Sequence, residues 1–197
     1  QTPILRSPRS VRVLLVLFNR FALESFEERI YESSTCRVYC AKDLETMQRV
    51  AIKLFVHEEH FEKERMMREK LGDHTEIGTA VVVEHECHDS ASMLSEISKA
   101  RAADELNQWK SLRLIPLLTS FSGGAIVMPV AEFNLHQRMS QIQLAGINAS
   151  GCADILAQVA NAIATLHQCG VVHGDVKPRN VVRINGVWKL IDMDAAT

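Results

Sequence analysis

Much of what defines this sequence is what it does without. Its 22 Lys and Arg nearly match its 24 Asp and Glu, leaving a formal charge of -2. A chain with no global basic field offers nothing to nucleic acid as a bulk partner. No apolar run is long enough to span a membrane. The longest near the start, "VRVLLVLF", is flanked by arginines and reads as a strand or buried segment. The five cysteines (Cys36, Cys40, Cys87, Cys152, Cys169) are odd in number and contain no C-x-x-C pair. That argues against a disulfide framework and a zinc site, and scattered reduced thiols suit a cytoplasmic protein. Internal repeats and low-complexity tracts are also missing. The chain opens at Gln1 without an initiator methionine, as an excerpt of a longer polypeptide would.

What is present has the makings of a globular protein with a sizeable core: 197 residues, 47% hydrophobic and 23% charged. Residues 1–20, with two Ser-Pro-type turns, read as an extension. From Glu28 to Phe55 the pattern is β-rich: "ERIY", "CRVYCA" and "RVAIKLF". "HEEHFEKERMMREKLG" reads as a charged helix stopped by Gly72, and "TAVVVEHE" as the strand after it. Residues 88–110 are polar and partly helical by pattern. "LRLIPLLTSF" and "AIVMPV" around "SGG" predict a hairpin. After Ala131 the character turns helical. "SGCADILAQVANAIATLHQCG" sets Ile155, Leu156, Val159, Ile163 and Leu166 on one stripe, with Ser150 as cap and Gly170 as stop.

Near the end, Asn-Gly between the β-branched runs of "VVRINGVWKLID" is a strong hairpin signal. A two-residue loop at Asn185-Gly186 sets Ile184 opposite Val187, and running back sets Asn180 opposite Ile191 and Arg179 opposite Asp192. Asn180 and Asp192 then sit on adjacent strands roughly 5–8 Å apart. An amide oxygen and a carboxylate so placed suit Mg²⁺, a hard cation that takes phosphates and waters as its other ligands. Asp175 and Lys177 lie on the loop that feeds this hairpin. Four polar residues converging through one register point to a site rather than to ordinary turn polarity.

These residues resemble those of a known family. "HGDVKPRN" (His173 to Asn180) is similar to the catalytic loop of eukaryotic protein kinases, usually HRDLKPEN, and "DMD" falls where DFG is expected. "VAIK" (Val50 to Lys53) resembles the strand that carries the phosphate-binding lysine, and "AIVMPV" the strand entering the interlobe hinge. The resemblance implies an α+β bilobal kinase fold. An antiparallel N-lobe sheet with one regulatory helix would occupy 21–131, with an insertion about 88–110 that reads as surface elaboration. A partial helical C-lobe would occupy 132–197. It further implies ATP and Mg²⁺ as cofactors and a protein Ser/Thr hydroxyl as acceptor, because Lys two residues after the Asp is the serine/threonine pattern. Asp175 would orient the acceptor hydroxyl and Lys177 neutralise the transferring group. Asn180 and Asp192 would hold the metal, and Lys53 would contact the phosphates. Val38, Ala51, Met128, Val130 and Ala131 would line the nucleotide site, and His173 would support the "DMD" segment. The pattern also needs a helix glutamate for Lys53. At about 100° per residue, Glu64 shares a face with Phe61, Met67 and Leu71, whereas Glu62 and Glu69 point away, so Glu64 is expected.

The departures are as informative. The glycines of G-x-G-x-x-G-x-V would fall at Tyr31, Ser33 and Cys36, and none is glycine. Such a lid cradles phosphates less closely. Gly174 replaces the arginine that pairs with a phosphorylated activation loop, Met193 fills the Phe position, and Asp194 replaces the last glycine. No activation segment follows Thr197 in this sequence, which is expected either of a fragment of a longer catalytic domain or of a polypeptide that ends here and phosphorylates proteins poorly. Three readings stand: a serine/threonine kinase, a pseudokinase scaffold, and a small-molecule kinase.

Overall fold

The computed structural model describes residues 15–23, 29–72, 77–82, 86–106, 118–141 and 149–197. The upper lobe is a seven-stranded antiparallel sheet. Its strands are β1 (Val16–Leu17), β2 (Phe21–Leu23), β3 (Arg29–Glu32), β4 (Cys36–Asp43), β5 (Arg49–Phe55), β6 (Glu86–His88) and β7 (Gly124–Pro129). They run in the order β1-β2-β4-β5-β7-β6, with β3 also paired to β4. β5 lies between β4 and β7, so both of its edges are paired, and its alternation sorts two environments on the two faces. Ile52 and Leu54 join Leu17, Phe21 and Phe121 on one side, while Ala51 and Phe55 join Phe61 and Val182 on the other.

Helix α1 (Glu58–Gly72) crosses the second face. Phe61, Glu64, Arg68 and Leu71 form its buried stripe at helical spacing. Phe61 meets Phe55 edge-on at 5.7 Å between ring centres. On the outer face Arg65 pairs with Glu62 at 2.6 Å and also with Glu69. Two of the three candidate glutamates are thereby committed to solvent, as the helical wheel requires.

Several expectations are corrected here. The strand expected at "TAVVVEHE" begins as a short helix, α2 (Ile77–Ala80), and β6 follows only at Glu86–His88. Val81 instead bridges to Leu190 and is buried. Among the described residues β7 pairs with β5 and β6 and not with the end of "LRLIPLLTSF". The described end of that run makes a helical turn that buries Leu118 and Phe121, while 112–117 lies outside the described residues. The N-terminal extension does not reach residue 20, because Val16 and Leu17 already pair with Ala22 and Phe21 in the sheet. The region expected as surface elaboration contributes to the core. Helix α3 (Ser90–Leu106) inserts Met93 and Ile97 among Leu17, Phe21 and Leu54. Its buried Glu96 accepts the Phe18 backbone N–H at 2.9 Å.

The lower lobe holds α4 (Leu135–Gln141), α5 (Ala149–Gln168) and a three-stranded sheet of β8 (Phe133–Asn134), β9 (Val181–Ile184) and β10 (Val187–Leu190). α5 starts at Ala149, so Ser150 lies inside the helix rather than capping it. The expected stripe packs on the core through Ile155, Val159, Ile163 and Leu166, and only Leu156 departs from it, 69% exposed, while Ala162 is buried in its place. The stop is as expected. Gly170 takes φ +66 while its N–H reaches His167 O and that of Val171 reaches Leu166 O, the paired bonds of a Schellman end. No helix among the described residues is long and apolar enough to cross a membrane.

Candidate active site

The hairpin β9–β10 turns at Asn185 (φ 51) and Gly186 (φ 80), the left-handed pair of a type I′ turn. Ile184 faces Val187 and Val181 faces Leu190, and the ladder continues as Ile191 donates to Asn180 O at 3.0 Å. The register read from Asn-Gly is the register observed. It sets Asn180 and Asp192 at the open end of the hairpin, both lining a cleft of about 490 Å³ between the lobes.

The cleft has an apolar slot and a charged end. Val38 and Ala51 above, Met128, Val130 and Ala131 along the connection between lobes, and Val182, Ile184 and Ile191 below line the slot. At the charged end, Lys53 Nζ lies 2.6 Å from Glu64 Oε2 and 2.6 Å from Asp192 Oδ1. Burial lowers the Lys53 ammonium, but the charges of Glu64 and Asp192 outweigh it and raise it well above the ordinary lysine range. Burial raises the Glu64 carboxyl in turn. Lys53 and then Arg68 outweigh that and hold it down to about 2. The group is therefore a set of full charges in a dry environment, where pairing is obligatory.

Arg68 was missed in the sequence, where a charge-dense helix reads as solvated. It is fully buried, donates through Nε and Nη2 to Glu64 Oε1 at 3.0 and 2.8 Å, and donates through Nη1 to Val82 O at 2.6 Å. The signal was available in the spacing: Arg68 stands four residues after Glu64, on the stripe between Phe61 and Leu71.

Asp175 and Lys177 stand beside the cleft rather than in its lining, and Asn180 joins them to it. Asn180 Nδ2 donates to Asp175 O and Oδ2, each at 3.0 Å, and Lys177 Nζ lies 2.5 Å from Asp175 Oδ2. The Lys177 bond, aided by its charge and by Asn180, lowers the Asp175 carboxyl against partial burial. Asp175 is thus an ionised acceptor at neutral pH. His173 accepts the Asp175 N–H on Nδ1 at 3.3 Å, which assigns its ring proton to Nε2 for donation to Ile191 O at 3.1 Å. It fastens the loop to the residue before Asp192. Gly174 has φ +77, and a Cβ there would stand 2.5 Å from Ala195 O. Met193 is fully buried among Leu71, Leu166 and Val171. Burial, then the charge of Asp192, raises the half-buried Asp194 carboxyl.

Between β3 and β4 the glycine-free turn satisfies itself. Ser33 Oγ accepts the N–H groups of Thr35 and Cys36, both at 3.2 Å, and Ser33 N–H donates to Cys36 O at 2.9 Å. Amides that a glycine-rich lid would turn toward phosphates are occupied by a hydroxyl of the same turn.

Comparison with known proteins agrees with the geometry. A family model described as "Protein kinase domain" matches residues 26–197. A curated Dictyostelium discoideum protein named "Probable serine/threonine-protein kinase mps1" is 32% identical over 72 residues, which are 36% of this chain and 7% of that protein. The chain spans a small part of that relative. That match takes in most of the upper lobe and all of the lower one, with Lys53, Glu64 and Asp192 meeting in the cleft between them: the chain belongs to the protein kinase family.

Proposed function

We propose that the chain carries the catalytic centre of an ATP-dependent serine/threonine protein kinase, with cytoplasmic residence part of the proposal. The observation that carries it is the meeting of two clusters at one cleft: Lys53–Glu64–Asp192 at its charged end and Asp175–Lys177–Asn180 at its side. The apolar slot between Ala51, Met128 and Val182 is of a size and character to take a purine.

The residues divide the work by position. The acceptor hydroxyl oxygen forms a bond to the γ-phosphorus of ATP, and the bond from that phosphorus to the β,γ-bridging oxygen breaks, its electron pair leaving with ADP. Asp175, ionised and held on two sides, receives the hydroxyl proton. Lys177 screens the transferring group, and Lys53 holds the remaining phosphates by its charge. The metal-site residues fit Mg²⁺ by donor chemistry. Asn180 spends its amide hydrogens on Asp175, leaving its carbonyl oxygen, and Asp192 adds a carboxylate. When bound there, Mg²⁺ supplies charge neutralisation to the phosphates.

Asp175→Asn keeps the hydrogen-bonding shape but removes the proton acceptor. Phosphate transfer from radiolabelled Mg·ATP to a generic protein should fall by about 10²–10⁴-fold, the range of a lost general base. Affinity for Mg·ATP should stay within about twofold, since Asp175 lies outside the cleft lining. Near-parental transfer by this variant would remove Asp175 from the mechanism. A second reading, a pseudokinase that binds and scaffolds, is favoured by the Ser33 hydroxyl occupying the lid amides. A folded parent that transfers no phosphate would decide for it.

A further inference from the structure

A kinase-type cleft must hold a lysine that is charged, buried and still available to phosphates. Those demands conflict. Lys53 touches two carboxylates, Glu64 and Asp192, so these three groups alone sum to one negative charge in a dry pocket, which would oppose an entering polyphosphate. Arg68 changes that sum. It lies 1% exposed on the same helix face and covers Glu64 Oε1 with two N–H groups, leaving Oε2 to Lys53. Two cations and two anions then balance.

Arg68 also reaches the other half of the pair. Its Nη1 donates to Val82 O, and the Val82 N–H donates to Leu190 O at 3.1 Å on the strand that runs into Asp192. Arg68, itself part of helix α1, therefore braces Glu64 one turn away and links that helix to strand β10 through Val82. Lys53 stands where those two supports converge.

We propose that Arg68 is a positioning residue for nucleotide binding, which neutralises Glu64 from behind and joins α1 to the Asp192 strand, so that the charge of Lys53 is free for the phosphates. This rests on the kinase reading above and names the part of that site which sets its affinity. A buried cation with such a role acts through Glu64, and double substitution tests that dependence.

The experiment measures binding of a fluorescent ATP analogue with Mg²⁺ to the full chain and its variants. Binding by the parent is required first, since a folded parent that does not bind would sink the nucleotide reading and this inference with it. Given a binding parent, Arg68→Met, which fills the space without charge, should weaken affinity at least tenfold. Phosphate transfer at saturating nucleotide should change by less than threefold. Arg68→Lys keeps the cation and should stay within about threefold of the parent. Added to Glu64→Gln, Arg68→Met should cost less than threefold more. Arg68→Met within twofold of the parent, Arg68→Lys no better than Arg68→Met, or a further tenfold loss in the double variant would each overturn the proposal. If Arg68→Met alone does not fold, comparing Glu64→Gln with the double variant, where no buried carboxylate is left unbalanced, decides it.

Discussion

Gly174 stands where the family pattern has arginine, and substitution alone reads as loss of a regulatory contact. The structure adds a steric reason. At φ +77 the backbone is left-handed, and a Cβ would sit 2.5 Å from the carbonyl oxygen of Ala195. Gly174→Ala should therefore cost about 2–3 kcal/mol, strain and contact together. Gly170 is the control. It has φ +66, but a Cβ added there would meet nothing within 4 Å, so Gly170→Ala should cost only about 1 kcal/mol. Thermal denaturation of the two variants checks this, and equal losses would show that Ala195 gives way. At the same scale, Glu64 was legible because helical geometry singles out one of three glutamates, and the same spacing put Arg68 on that stripe without showing that it is buried. A lone sequence shows an arginine's charge, but its burial depends on a carbonyl contributed by Val82 from another segment.

Among elements, the turn between β3 and β4 shows how local chemistry can set a functional property. Ser33 Oγ caps the amides of Thr35 and Cys36 within the turn, so a phosphate that approached them would have to displace a hydroxyl already in place. Ser33→Gly removes the competitor and the side chain together. Mg·ATP affinity is expected to tighten severalfold, as measured by titration calorimetry. Weaker binding would mean that the serine holds the lid in a useful shape instead of obstructing it. The hairpin β9–β10 was readable to the residue because Asn185 and Gly186 permit one turn type and thereby one register. "TAVVVEHE" was not, because an apolar run reports burial and not conformation. Val81 is buried at the end of α2 against Leu190, where a strand or a helix end would bury it equally well.

For the whole molecule, the buried charge group links stability to pH. The Glu64 carboxyl is held at about 2 in the folded protein against an ordinary 4.5. A depressed acid contributes its stability above the unfolded value and loses it as pH falls through the folded one. The contribution is then complete near pH 5.5 and is withdrawn between about pH 4.5 and 2, amounting to on the order of 3 kcal/mol. Urea denaturation across that window should show the loss in the parent and a flatter profile in Glu64→Gln. A parental profile in the variant would place the acid sensitivity elsewhere. The group matters at this scale because Glu64 joins helix α1 to strand β5 through Lys53, which in turn reaches Asp192 beyond the end of β10.

Sequence alone settled those features whose causes are local: the charged helix and its buried glutamate, the Asn-Gly register that aligns Asn180 with Ile191, the Gly170 stop, and the order of kinase-like motifs. Each depends on spacing or on a backbone conformation open to few residue types. Tertiary structure decided the rest: that Val16 and Leu17 enter the sheet, that α3 fills the core, that Leu156 faces outward while Ala162 is buried, and that Arg68 is buried with its guanidinium on Val82 O. In each of these the deciding partner comes from a distant segment or from packing between elements. The energy of burying a side chain depends on what covers it, and a single sequence does not carry that information in its local pattern.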